Sequence, residues 1–149
     1  MSSADRLEPM RGMARRHAEQ AARELGQALT RLEQLQQQMA DLLRYRDDYG
    51  LELGRAMSGG VRAAQMLGFR QMLERLDGAL ARQRELLADQ AALCDLARRR
   101  YLDRQARVQA LDDLIHSRRA AEQSRQATRE QRLLDDLTQA QWRRAESRS

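Results

Sequence analysis

The chain has 149 residues, and Ala, Leu, Arg, Gln, Asp and Glu make up about three-quarters of them, all but Asp favouring helix interiors. Val, Ile and Thr total only six residues, and there is one Pro, one Phe, one Trp and three Tyr, which excludes a sheet protein and leaves a compact core poorly filled. All 27 basic residues are Arg, interspersed with 22 acids for a net charge of +5, the pattern of a solvated helix surface with i,i+4 pairs rather than of a nucleic-acid groove, which would segregate positive charge among aromatics.

Residues 1–9 contain no apolar run resembling a signal peptide, and no stretch approaches membrane-spanning length. Cys94 is alone, so no intramolecular disulfide is available and a reducing, cytoplasmic location is expected. The first helix is predicted over about 6–57, with Pro9 in its first turn. From residue 14, steps of four and three give Ala14, Ala18, Ala21, Leu25, Ala28, Leu32, Leu35, Met39, Leu42, Arg46, Tyr49, Leu53 and Ala56. Only Arg46 breaks this 3.5-residue period, the signature of a coiled-coil seam.

Ser58-Gly59-Gly60 then reads as a helix cap and tight turn over about 58–61. A second helix follows over about 62–144, with the seam Met66, Phe69, Leu73, Leu76, Leu80, Gln83, Leu87, Gln90, Cys94, Ala97, Tyr101, Arg104, Val108, Leu111 and Ile115. Gln83, Gln90 and Arg104 are polar interruptions of the kind that set register. Beyond Ile115 the ladder reads Arg118, Glu122, Arg125, Arg129 and Arg132, and the seam stops.

A short turn makes the two helices antiparallel neighbours, with paired numbers summing to roughly 119. Ile115 then falls opposite about residue 4, so the two seams end together, and each arm is about 70–80 Å long. The expected fold is all-α: a single coiled-coil domain over 1–149, an antiparallel hairpin whose second helix overhangs the first, unpaired after about 115. Leu133, Leu134, Leu137 and Trp142 gather near the end of the overhang, which reads either as a frayed tail with an incidental patch or, the favoured reading, as a segment that packs into a partner.

Two further stripes lie near the turn. Gln38, Leu42, Tyr45 and Tyr49, and Met72, Leu76, Ala79 and Gln83, are each spaced 4, 3, 4 and fall at one level of the hairpin. They either thicken its tip or form a docking surface, where Tyr supplies contact area at low entropic cost. No catalytic, metal or cofactor grouping is found. His17 and His116 are isolated, adjacent Asp pairs point about 100° apart on a helix, and no Gly-rich phosphate loop is present. The chain reads as a non-enzyme.

The order of features resembles the FliJ family of flagellar export proteins and its counterparts in virulence-type secretion systems. The matching residues are Leu7 with Ala21-Ala22 and Leu25-Gly26; Leu42-Leu43-Arg44-Tyr45-Arg46-Asp47-Asp48-Tyr49; Gly59-Gly60; Phe69 to Leu80; Arg100-Tyr101 with Ala110-Leu111; and Arg129-Glu130-Gln131 with Asp135-Asp136. The resemblance implies a long antiparallel coiled coil similar to the central stalk of rotary ATPases. It implies insertion of the terminal end into the hexameric ring of the export ATPase FliI, contact with the cytoplasmic domain of the export-gate protein FlhA, and binding of export chaperones. No nucleic acid and no membrane insertion are implied, and the location is cytoplasmic, peripheral at the membrane base of the export apparatus. The family's gate-contacting residues fall on Gln38, Leu42, Tyr45, Tyr49, Met72, Leu76, Ala79 and Gln83. Met72 stands where the family often has an aromatic, and Gln83 where it has His. Arg118, Arg119, Arg125, Arg129 and Arg132 are expected to face acidic or carbonyl groups of the ring. The rival readings are a generic coiled-coil scaffold or secretion chaperone and a basic helical nucleic-acid binder.

Overall fold

A computed structural model describes residues 2–60 and 62–148, which form two α-helices, α1 (Ser3–Ser58) and α2 (Ala63–Arg148). Among the described residues there is no strand, and no helix is long and apolar enough to cross a membrane.

The start of α1 is set by a reciprocal cap. The Asp5 backbone N–H donates to Ser2 Oγ at 3.1 Å, and the Ser2 N–H donates back to Asp5 Oδ2 at 3.4 Å. Two donors at the helix entry are thereby satisfied, and the helix begins at Ser3 rather than near residue 6. Pro9, expected in the first turn, consequently lies inside the helix, where it forfeits the bond to the Asp5 carbonyl. At the other end the Gly59 N–H donates to the Arg55 and Ala56 carbonyls at 3.1 and 3.2 Å. Gly60 follows with φ +78°, a left-handed conformation that favours glycine. Val61, the last residue of the expected turn, lies outside the described residues. The Arg62 carbonyl then accepts from the Gln65 and Met66 N–H groups, opening α2.

The chain divides into two compact units, residues 19–103 and residues 1–18 with 104–149. In the first, Gln90 Nε2 donates to the Ala28 carbonyl at 3.0 Å and Gln83 Nε2 to the Leu35 carbonyl at 2.9 Å. The Tyr49 and Phe69 rings meet at 5.3 Å. Rising numbers in α1 thus meet falling numbers in α2, as an antiparallel pair requires. The buried face is the 3.5-residue seam: Ala21, Leu35, Leu76, Leu80 and Cys94 are buried, and Leu25, Ala28, Leu32, Met39, Leu42, Tyr49, Leu53 and Ala56 are half-buried. Two of its polar interruptions are explained by the bonds just given. Gln83 and Gln90, one heptad apart, each reach a carbonyl one heptad apart on α1, so neither amide is left unpaired.

In the second unit α1 supplies Ala4, Ala14 and Ala18 and α2 supplies Leu111 and Ile115, all buried, with Ile115 only 1% exposed. α1 thus contributes small residues and α2 large ones to this seam. Arg11 Nη1 and Arg15 Nη2 both reach Asp112 Oδ1, at 3.4 and 3.3 Å, and Arg119 Nη2 reaches Glu8 Oε1 at 2.6 Å. Arg118 donates to Ser3 Oγ. Because α1 starts at Ser3, side-chain pairing continues a full turn beyond Ile115 instead of ending there.

Heptad letters expose an asymmetry between the two flanks of the seam. With Leu35, Leu42 and Tyr49 of α1 and Leu76, Gln83 and Gln90 of α2 as d positions, e is the residue after each d and g the residue before each a. Glu8–Arg119 and Arg15–Asp112 join e to e, and Arg11–Asp112 and Arg46–Asp77 join a to e. These ion pairs therefore all lie on the e flank.

Candidate interaction surfaces

In the unit of residues 19–103 the g flank is built differently. Gln38 and Tyr45 precede the a positions Met39 and Arg46, and Met72 and Ala79 precede Leu73 and Leu80. Antiparallel helices bring like flanks together, so these four residues border one edge of the seam. The link across it is neutral: Gln83 Nε2 donates to Gln38 Oε1 at 3.2 Å. Tyr45 is 51% exposed and stacks on Tyr49, with centroids 6.4 Å apart and planes 24° apart. Tyr49 in turn leans on Phe69 at 54°. The ring of Tyr45 is thus held by an aromatic ladder that begins inside the seam, a pre-ordered apolar face with little rotamer freedom left to lose.

The eight residues of the two sequence stripes are therefore not equivalent. Gln38 and Tyr45 are exposed, and Leu42, Tyr49, Met72 and Ala79 are half-buried. Leu76 and Gln83 are buried at 7% exposure each. These last two pack between the helices and act on a surface only through the neighbours they support. On the opposite flank Arg46 Nε donates to Asp77 Oδ1 at 2.6 Å. That hydrogen bond, followed by the charge of Asp77, raises the Arg46 pKa above its ordinary value. The one break in the α1 seam is thus a charge reaching out of it to a partner.

The second surface is the end of α2. From Gln123 to Arg148 only Ala140 is even half-buried. Arg125, Arg129 and Arg132, spaced 4 and 3, share one helix face and make no ion pair among the described residues. Leu133, Leu137 and Ala140, also spaced 4 and 3, share an adjacent face. Leu133, Leu134 and Leu137 are each more than half exposed, and Trp142 is 68% exposed. The leucines thus form a short stripe that the sequence presented only as a cluster. Arg118 and Arg119, grouped with the other three in the sequence, are instead occupied by Ser3 and Glu8. His17 and His116 are exposed. No group of three or more His, Cys, Asp or Glu that could hold a metal ion occurs among the described residues.

The sequence model of the family described as "Flagellar FliJ protein" matches residues 2–147. The chain is 25% identical to a flagellar FliJ protein of Salmonella typhi over 133 residues, covering 89% of this chain and 90% of that one. It is 24% identical to the flagellar FliJ protein of Escherichia coli strain K12, with the same coverage of each. An end-to-end family match on a two-helix antiparallel chain leads to one conclusion: the chain belongs to the FliJ family and is a component of the flagellar export apparatus.

Proposed function

We propose that this chain is a stalk of the flagellar export apparatus whose terminal unit enters the hexameric ring of the export ATPase FliI and promotes its assembly and activity. In the same reading the Tyr45 edge of residues 19–103 contacts the cytoplasmic domain of the gate protein FlhA, export chaperones are further partners, and the protein works at the cytoplasmic base of the membrane. The observation that carries the reading is the end of α2, where residues 123–145 continue as helix and all but Ala140 are exposed, with no seam among the described residues. In proteins most helical stability comes from packing of a helix face, so an exposed segment is suited to being completed by a binding site. Two paired helices that give way to one fit a tapering central hole, and an asymmetric insert in a six-fold ring cannot touch all subunits alike. It can therefore bias their nucleotide states.

Arg125, Arg129 and Arg132, which make no ion pair among the described residues, would meet acidic or carbonyl groups of the ring. Arg118 and Arg119 would join them only by releasing Ser3 and Glu8. The direct test is ATP hydrolysis by the cognate export ATPase with and without this chain. Stimulation supports the stalk; an unchanged rate leaves a scaffold or secretion chaperone.

The gate contact has its own test. Tyr45→Ala with Tyr49→Ala removes the exposed end of the aromatic ladder and is expected to weaken binding of the FlhA cytoplasmic domain about tenfold or more, while stimulation of the ATPase persists. Titration calorimetry and the hydrolysis assay read the two separately. Full gate affinity in the double variant would refute the assignment of this edge.

A further inference from the structure

The eight stripe residues leave out the ring on which the exposed edge rests. Tyr49 and Phe69 are d positions two heptads nearer the turn than Leu35 and Gln83, so the two rings meet in one layer of the seam. Among the described residues no other layer joins two rings across the helices, and Phe69 is the single Phe of the chain. Aromatic pairs are favourable at centroid separations of about 4.5–7 Å. The Tyr49–Phe69 pair, at 5.3 Å, lies well inside that range, whereas the Tyr45–Tyr49 stack, at 6.4 Å, lies near its long end. Tyr45 is therefore held only as firmly as Tyr49 is. Arg46, one turn before Tyr49, sends its guanidinium out of the seam to Asp77, so the ring contact that fixes Tyr49 from the facing helix is Phe69. No ring contact joins Phe69 to Tyr45 directly among the described residues.

We propose that Phe69 is a positioning residue for the exposed edge: its ring fixes Tyr49, and Tyr49 fixes the outward face of Tyr45 for the partner. The inference rests on the gate contact proposed above and deepens it by adding a residue that the stripes do not contain. A side chain that is already fixed loses less freedom on binding, so Phe69 acts on affinity through a ring that it does not touch. The edge then belongs to the closed hairpin. α1 carries Tyr45 and Tyr49, and α2 orders them.

Phe69→Leu keeps an apolar side chain in the seam and deletes the ring, and Phe69→Tyr restores a ring at this half-buried position. The full chain labelled with 3-fluorotyrosine gives three fluorine signals, from Tyr45, Tyr49 and Tyr101. Phe69→Leu is expected to move the Tyr45 and Tyr49 signals toward their positions in urea and to leave Tyr101 in place. Titration calorimetry with the FlhA cytoplasmic domain is expected to show about three- to tenfold weaker binding by Phe69→Leu and recovery in Phe69→Tyr. In a Tyr49→Leu background, which cuts the ladder, Phe69→Leu is expected to cost no further affinity. Leu111→Ala, at a buried position of the other unit, controls for lost stability and is expected to leave the Tyr45 signal and the affinity unchanged. An unmoved Tyr45 signal, full affinity in Phe69→Leu, no recovery in Phe69→Tyr or an equal effect of Leu111→Ala overturns the proposal. So does an undiminished cost in the Tyr49→Leu background, which would make Phe69 a direct contact. If the unsubstituted chain fails to bind the domain, the gate assignment falls, and the fluorine signals still decide whether Phe69 orders Tyr45.

Discussion

Reversing Arg125, Arg129 and Arg132 to Glu is expected to abolish stimulation of the export ATPase, returning hydrolysis to its basal rate, without lowering helicity. The three side chains share one exposed face and have no ion pair to lose within the described residues, so the change falls on whatever that face meets. Glu is nearly as good a helix former as Arg. The new repulsions of residue 125 with Glu122 and of residue 132 with Asp135 and Asp136, three or four apart, cost only about 0.2–0.5 kcal/mol each. Far-UV circular dichroism and the hydrolysis assay check both halves together. Arg118→Glu with Arg119→Glu is a different experiment, because it also breaks the contacts to Ser3 and Glu8. Its effect would mix a loosened end of the hairpin with a lost ring contact. Undiminished stimulation by the triple variant would remove this face from the ring.

The second large effect concerns stability. Leu35 is 2% exposed, and its carbonyl also receives the Gln83 amide. Leu35→Ala deletes a buried isobutyl group in a seam only one residue deep, where neighbours cannot collapse from several sides. A loss of about 2–4 kcal/mol is expected, read as a lower urea midpoint. Leu43→Ala, at a position 40% exposed on the e flank, serves as the comparison, with an expected cost of about 0.5–1 kcal/mol. Equal losses would mean that the buried face has been assigned to the wrong heptad positions.

Both predictions rest on features that were unevenly legible in the sequence. The seam was readable because a 3.5-residue period leaves little freedom: the apolar positions from Ala14 to Ala56 are the face that α2 covers. Polar interruptions could be located in that way but not interpreted. Nothing in the sequence says that Arg46 reaches Asp77 or that Gln83 and Gln90 bond to carbonyls, since those partners lie 31, 48 and 62 residues away. The same limit affects the docking stripes. Leu76 and Gln83 belong to the seam and to a surface stripe by spacing alone, and only packing decides that they are buried. The helix starts at Ser3, a few residues before the expected bound of about 6 and next to residue 4, where the seam register ends it, because the Ser2–Asp5 capping box sets the first turn.

The central claim, on which ring insertion and the gate-contacting edge depend, is that the chain folds back on itself at its glycine pair so that α1 and α2 of one molecule form the seam. Leu32 lies between Ala28 and Leu35, and Leu87 between Gln83 and Gln90, the two residues whose amides bond to those carbonyls, so positions 32 and 87 face each other. Leu32→Cys with Leu87→Cys in a Cys94→Ala background, treated with a short bis-maleimide at low protein concentration, is the direct measurement. The account predicts an internally bridged monomer on a denaturing gel and in the mass spectrum; bridging found only between two chains would contradict it.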